Sequence, residues 1–269
     1  FTTLLFSTCL VLSTLSGQSI SVYATLIDQE VHGSILDAQE YEFGEDAVAN
    51  YNNGKWVGVK LEVPTELAKE DNFIYLSYAL LDTVELWVHG KNRELIRTYQ
   101  TGQAFKFDTR PYASSDFVFP MSEGTEVYYF RIYSSKPVVL PFEVLHKGDL
   151  IETLTTKDLL FGIYVGVMLV MFLYNLALLL ITRDKTYAYY ISFLITLLLA
   201  QVALFGYTDR YLMPDWPALN QKYTVLSGAV VGLFTALFMI NFLQLRQRAP
   251  LFARIIVLLA VMDIFGILL

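Results

Sequence analysis

Three histidines, His32, His89 and His146, are dispersed along the chain, and none stands at helical spacing from another metal-ligating side chain. The acidic pairs Glu45-Asp46 and Glu70-Asp71 fall in polar connecting stretches and read as solvated surface, and no glycine-rich phosphate loop occurs. The single cysteine, Cys9, sits in an apolar leading stretch, which leaves no disulfide, zinc site or thiol nucleophile beyond it. No catalytic residue, metal or cofactor is therefore expected in these residues. What remains suits recognition. In an extended strand Glu85 and Trp87 share a face, where the indole can stack on a sugar ring while the carboxylate accepts hydroxyl hydrogen bonds. Cover by a second sheet or by the membrane-proximal surface would account for Trp87 as well. Trp56 opens another such run and is a second candidate for stacking, with a place in the core as its plainer explanation. Arg110-Pro111-Tyr112 follows a loop containing Gly102 and can offer a guanidinium and a ring to a polar or anionic ligand; pairing with a nearby acid accounts for Arg110 equally.

A second group of residues lies in apolar surroundings. Gly162-x-x-x-Gly166 and Gly228-x-x-x-Gly232 place small residues one turn apart, which lets helices approach closely in lipid. Asn175, Gln201 and Asn241 are polar side chains deep in apolar runs, where hydrogen bonding between helices is their usual role. Asp263 is the one carboxylate inside such a run. Burying it costs roughly 2.5–3.5 kcal/mol on insertion scales, so it should face protein or water, unless it lies nearer the interface than the run suggests. Asp263, Asn175, Gly162 and Gly166 are the candidates for coupling within the membrane.

The elements that must carry these residues follow from how charge is divided. Of 269 residues, 55% are hydrophobic and only 17% charged. Up to Asp158 there are 12 Lys+Arg against 22 Asp+Glu; beyond it, 7 against 4. An acidic half of ordinary polarity joins an apolar, faintly basic half. That excludes a single soluble globule, a disordered chain and a nucleic-acid binder. Residues 159–182, 186–208 and 223–245 lack any Asp, Glu, Lys or Arg and are long enough to cross ~30 Å of hydrocarbon. A fourth run, 252–269, has 15 residues after Arg254, rising only ~22 Å, as if a helix were cut short. Residues 1–24 resemble a secretory signal whose basic start is missing, with Val22-Tyr23-Ala24 at its cleavage end. The chain is thus expected to be a fragment.

Arg183-Asp184-Lys185 and the trio Arg246, Arg248 and Arg254 mark two inner links, so the link with Pro214 and Pro217 faces out. Tyr187 to Tyr190 fit an inner aromatic belt. Residues 25–158 then lie outside. Strand-like runs at 56–63, 73–80, 83–88, 117–121, 126–133 and 138–145, broken by turn formers, predict an antiparallel β-sandwich or jelly roll. Val84, Leu86 and Val88 are its expected core face in one strand, with Thr83, Glu85 and Trp87 opposite. The fold class is an all-β extracellular domain followed by an α-helical transmembrane bundle, of which the first four of seven helices are present.

The number seven comes from a resemblance. Leu81-Asp82-Thr83-Val84-Glu85-Leu86, Gly102 with Arg110-Pro111, Phe117-Val118-Phe119-Pro120 and Tyr128-Tyr129-Phe130-Arg131-Ile132 carry it outside the membrane. Gly162-Ile163-Tyr164-Val165-Gly166, Leu173-Tyr174-Asn175-Leu176, Arg183-Asp184-Lys185-Thr186-Tyr187, Gly206 and Phe242-Leu243 before Pro250 continue it within. In this order they resemble the bacterial seven-transmembrane receptors with diverse intracellular signalling modules, in the branch with the second type of extracellular domain. The resemblance implies a jelly-roll sensor akin to carbohydrate-binding modules and a cytoplasmic output, commonly a diguanylate cyclase or a histidine kinase. A receptor in the bacterial inner membrane, sensing a periplasmic small molecule or carbohydrate, is the expected function. A transporter or channel with an accessory outer domain is the alternative. The lipid bilayer, that ligand and a second copy of the chain are the expected partners.

Overall fold

The computed structural model describes residues 21–27, 55–63, 69–90, 94–122, 125–135 and 140–268. The leading stretch with Cys9, and His32 and Glu45-Asp46, lie outside the described residues. Among the described residues eight strands come first: β1 Ser21–Ile27, β2 Lys55–Glu62, β3 Asn72–Leu76, β4 Thr83–Gly90, β5 Leu95–Thr101, β6 Phe117–Pro120, β7 Thr125–Ser134 and β8 Phe142–His146. They form two antiparallel sheets, ordered β1-β2-β7-β4-β5 and β6-β3-β8. Alternation decides which side chains meet between them. Val57, Val59, Leu61, Val84, Leu86, Val88, Tyr128, Phe130 and Ile132 from the larger sheet pack against Ile74, Leu76, Phe117 and Phe119 from the smaller. Phe130 sits edge-on to Phe119, centroids 5.4 Å apart, as aromatic quadrupoles prefer. The core face expected for β4 is the one observed, with Thr83, Glu85 and Trp87 half-buried on the other.

Two strands were invisible to periodicity. β5 carries Arg97, Thr98 and Gln100 and is an edge strand whose first residues are exposed on both faces, so no alternation marks it. β1 pairs with β2 from Ser21 to Ile27, so the strand takes in Ser21–Ala24, placed before the domain boundary by the sequence. Trp56 is not a core tryptophan. The register that turns Val57, Val59 and Leu61 inward turns Trp56 outward.

Four helices follow: α1 Lys147–Thr182, α2 Lys185–Leu204, α3 Pro217–Phe242 and α4 Pro250–Leu268, with one helical turn at Leu245–Arg248 before α4. The first three are long and apolar enough to cross a membrane. α1 begins twelve residues before the expected span. Its 36 residues rise about 54 Å, well beyond the ~30 Å hydrocarbon core, so its charged first turns stand outside. The link between α1 and α2 is a two-residue break: Arg183 is left-handed (φ 55°) and bonds back to Leu179 O, and Asp184 caps α2 by accepting from the Thr186 amide at 2.8 Å. Pro217 opens α3 at its first turn, six residues before the hydropathy limit.

At Gly102 the backbone has φ +139°, and a Cβ built there would overlap the Asp82 carbonyl oxygen and lie 2.8 Å from Thr83 Cα. Only glycine lets the end of β5 lie against the start of β4. Gly102→Ala is expected to destabilise by more than about 1 kcal/mol, read as a lower thermal midpoint of the protein in lipid nanodiscs. An unchanged midpoint would show that the β4–β5 contact yields at no cost.

Candidate functional site

Outward-facing residues of the larger sheet form rows across neighbouring strands. Trp56 stands opposite Tyr133, and Tyr133 opposite Thr83. The next row runs Gly58, Arg131, Glu85, Gln100, and the next Lys60, Tyr129, Trp87, Thr98. Arg131 organises the middle. Its guanidinium lies 4.1 Å over the Trp56 ring and 3.6 Å from Glu85, whose other oxygen accepts from Gln100 at 3.1 Å. Trp56 also packs on Tyr133, centroids 5.3 Å apart, and His89 meets Tyr129 edge-on at 5.2 Å. All these side chains are half-buried or exposed. The result is an aromatic platform with its central charges already paired, suited to a ligand with apolar ring faces and hydrogen-bonding edges.

The second assembly is the joint between the β domain and the helices. β8 runs into α1 with no linker. His146 is both the last residue of β8 and the cap of α1, accepting from the Gly148 amide through Nδ1 at 3.3 Å. Leu150 is fully buried with Tyr75 and Val118 on the outer face of the smaller sheet. Lys157, two turns further along α1, pairs with buried Asp116 at 2.5 Å, and the Tyr75 hydroxyl donates to the same carboxylate at 2.8 Å.

The connection between α2 and α3 folds back onto the β domain. A π-helical turn, Thr208–Leu212, carries Asp209 into the loop between β5 and β6. Arg110 reaches Asp209 at 3.3 Å, with side chains only 2% and 9% exposed. The same guanidinium donates to the carbonyls of Ser114 (2.9 Å) and Ser115 (2.5 Å) and lies 4.5 Å over the Phe117 ring. Asp209 accepts further from Gln103 at 3.3 Å and from Asn220 of α3. Around them Gln221 donates to Asp82 at 3.1 Å, the Phe107 amide donates to Pro214 O at 3.0 Å, and Gly206 (φ +74°) lies against Ala79 and Ser115. Asp158 of α1 closes the ring, accepting from Tyr207 (2.7 Å) and Arg210 (3.2 Å), while Phe161 stacks on Tyr207 at 4.3 Å. Burial lowers the Arg110 pKa, against the pull of Asp209 and Asp116, and a guanidinium stays charged even so.

The expected ligand residues thus divide. Trp56, Glu85 and Trp87 share one face, organised by Arg131, which spacing had not singled out. Arg110 is instead spent inside the joint, and its guanidinium faces protein on every side described. Tyr112 lies apart, 37% exposed and edge-on to Phe73 of the smaller sheet. Within the membrane, no hydrogen bond from Asn175 or Asn241 to another helix occurs among the described residues. Each donates to the carbonyl four residues back in its own helix at 2.7 Å. Gly162, Gly166 and Gly228 have nothing within 4 Å of a Cβ built on them, so no described helix uses these faces for close approach. Asp263 falls in α4, and its side chain is outside the described residues. The joint residues Asp82, Asp116, Asp158 and Asp209 were missed because no two of them are close in sequence.

Residues 157–269 match the family model described as 7TM diverse intracellular signalling, and residues 22–146 match that described as 7TMR-DISM extracellular 2. No curated protein matches the chain.

Tyr75 supplies a readout of the seat of α1. Burial first, then the neighbouring Asp116 charge, pushes its hydroxyl far above the ordinary phenol value. The folded protein therefore keeps this proton where the unfolded chain releases it. The contribution is complete below about pH 10 and is lost as pH rises beyond that. Tyr75→Phe is expected to flatten the alkaline fall of the thermal midpoint; parallel curves for the two proteins would show that Tyr75 ionises freely in the fold.

Proposed function

The chain belongs to the transmembrane sensory receptors that combine a 7TM diverse intracellular signalling region with the second type of extracellular domain, and from that premise we propose what it senses and how it reports. The ligand is a small, ring-bearing, polyhydroxylated molecule of carbohydrate type, bound on the outer face of the larger sheet. The platform of Trp56, Trp87, Tyr129 and Tyr133 around the Arg131–Glu85 pair is the observation that carries this reading. Its rings offer stacking area. Glu85 and Gln100 offer edges for hydroxyls, and the paired central charges make a net-charged ligand unnecessary.

Binding becomes signalling only if the ligand prefers one arrangement of the receptor over another. The linker-free passage from β8 into α1 supports transmission, since a displaced sheet cannot leave the helix behind. The receptor sits in a bacterial inner membrane with its β domain on the periplasmic side. This agrees with the Arg-rich links at the opposite ends of the helices from the joint. The recipient is a cytoplasmic output module outside these residues, a diguanylate cyclase or a histidine kinase.

Intrinsic fluorescence offers a direct test, because Trp56 and Trp87 are two of only three tryptophans. Titrating the full chain in nanodiscs with a panel of mono- and oligosaccharides should change emission for at least one glycan. Trp56→Ala and Trp87→Ala should each weaken that binding by about tenfold, the worth of one lost stacking contact. A glycan bound equally well by both variants would move the site elsewhere, and a silent panel would remove the carbohydrate class.

A further inference from the structure

The two sheets grip the membrane region mainly through different contacts, although Arg110 also bonds the Ser114 and Ser115 carbonyls beside β6 and Asp158 of α1 bonds Tyr207 and Arg210 of the turn between α2 and α3. The smaller sheet carries α1, through β8, Leu150 packed on Tyr75 and Val118, and Lys157 on Asp116. The edge hairpin of the larger sheet, with the loop that follows it, carries the turn between α2 and α3. Asp82 at the start of β4 holds Gln221 of α3, Gln103 just beyond β5 holds Asp209, and Arg110 holds Asp209 from the loop. The hairpin reaches the ligand platform within one strand segment. Glu85 is three residues from Asp82, Gln100 is three from Gln103, and Glu85 and Gln100 are themselves hydrogen-bonded across β4 and β5.

Building on the receptor reading, we propose that the sandwich acts as a differential lever. Sliding of the β4–β5 hairpin against the smaller sheet moves the α2–α3 pair relative to α1, and the buried Arg110–Asp209 pair is the grip that transmits the motion. A grip of this kind must be stiff yet have a second seat. Stiffness comes from the buried charges, since separating them leaves one uncompensated in a dry environment. A second seat is favoured because the present one is incompletely satisfied. Thr208 Oγ1 and Asn220 Oδ1 are buried there with no hydrogen-bond partner among the described residues, a cost that another packing can relieve. The π-turn that presents Asp209 is itself a geometry frequent at functional sites. Shear of packed elements is an established way of switching such an interface.

The test needs no ligand, so it stands apart from the carbohydrate reading. In a Cys9→Ser background, spin labels at Thr182→Cys and Arg246→Cys report the distance between the far end of α1 and the helical turn that follows α3 in nanodiscs. Exchange of the Phe107 amide, bonded to Pro214 O across the joint, reports the grip. Asp209→Asn should speed Phe107 exchange on the order of a hundredfold and replace one narrow distance distribution by a broad or shifted one. The swap Arg110→Asp with Asp209→Arg should bring both back towards wild type. If Asp209→Asn does not fold, Gln103→Ala removes one bond to the same carboxylate and is read identically. Faster exchange with an unchanged distance would overturn the proposal, leaving the joint as a mere fastening. Unchanged exchange would overturn it too. Failure of every glycan to bind would strike the ligand class and leave this result untouched.

Discussion

A carboxylate placed at the top of a membrane bundle and shut away from water must be answered at once by positive charge and hydrogen-bond donors. Asp209 is that carboxylate, and its answer comes from two parts of the chain: Arg110 and Gln103 of the β5–β6 loop, and Asn220 of α3. None is near it in sequence except Asn220. The β domain therefore cannot float above the membrane on a tether. Its β5–β6 loop is gripped against the turn between α2 and α3, and the positive φ at Gly102 and Gly206 are the backbone concessions that let the two meet.

The rest of the architecture follows from having two attachments of different kind. One is covalent and helical, β8 into α1, reinforced by buried apolar contact. The other is non-covalent and polar, at the turn between α2 and α3. Asp158 ties them together beside the stacked rings of Phe161 and Tyr207, where the charged first turns of α1 give way to its apolar run. Aromatic and charged groups share that level comfortably, since rings tolerate the edge of the hydrocarbon while carboxylates stay bonded. The same arrangement puts the Pro214–Pro217 link on the side of the β domain, the side to which its balanced charge assigns it.

What the sequence disclosed depended on whether the governing signal was local. The apolar runs of α1, α2 and α3 announce themselves because each contains its own evidence. The core of β4 was legible from alternation for the same reason. β5 was not, since an edge strand exposed on both faces has no period to detect. The start of α1 was masked because Asp149, Glu152, Lys157 and Asp158 lower hydropathy without interrupting the helix. Glu85 with Trp87 could be placed on one face by strand geometry alone, but Arg131 needed the register of β4 on β7. Arg110 suited a ligand or an acid equally well, and only the folding back of Asp209, 99 residues later, decides between them.

The seamless passage at His146 has a further meaning for how the chain can vary. Inserting one residue there would turn α1 by about 100° and lift it ~1.5 Å. Leu150 would leave its pocket on the smaller sheet, and Lys157 would swing away from Asp116. Insertions and deletions, which surface loops absorb freely, are thus forbidden at this point in the molecule. The length between β8 and the membrane is a fixed phase between sheet and helix, and drift in it would be felt as a receptor set to the wrong angle.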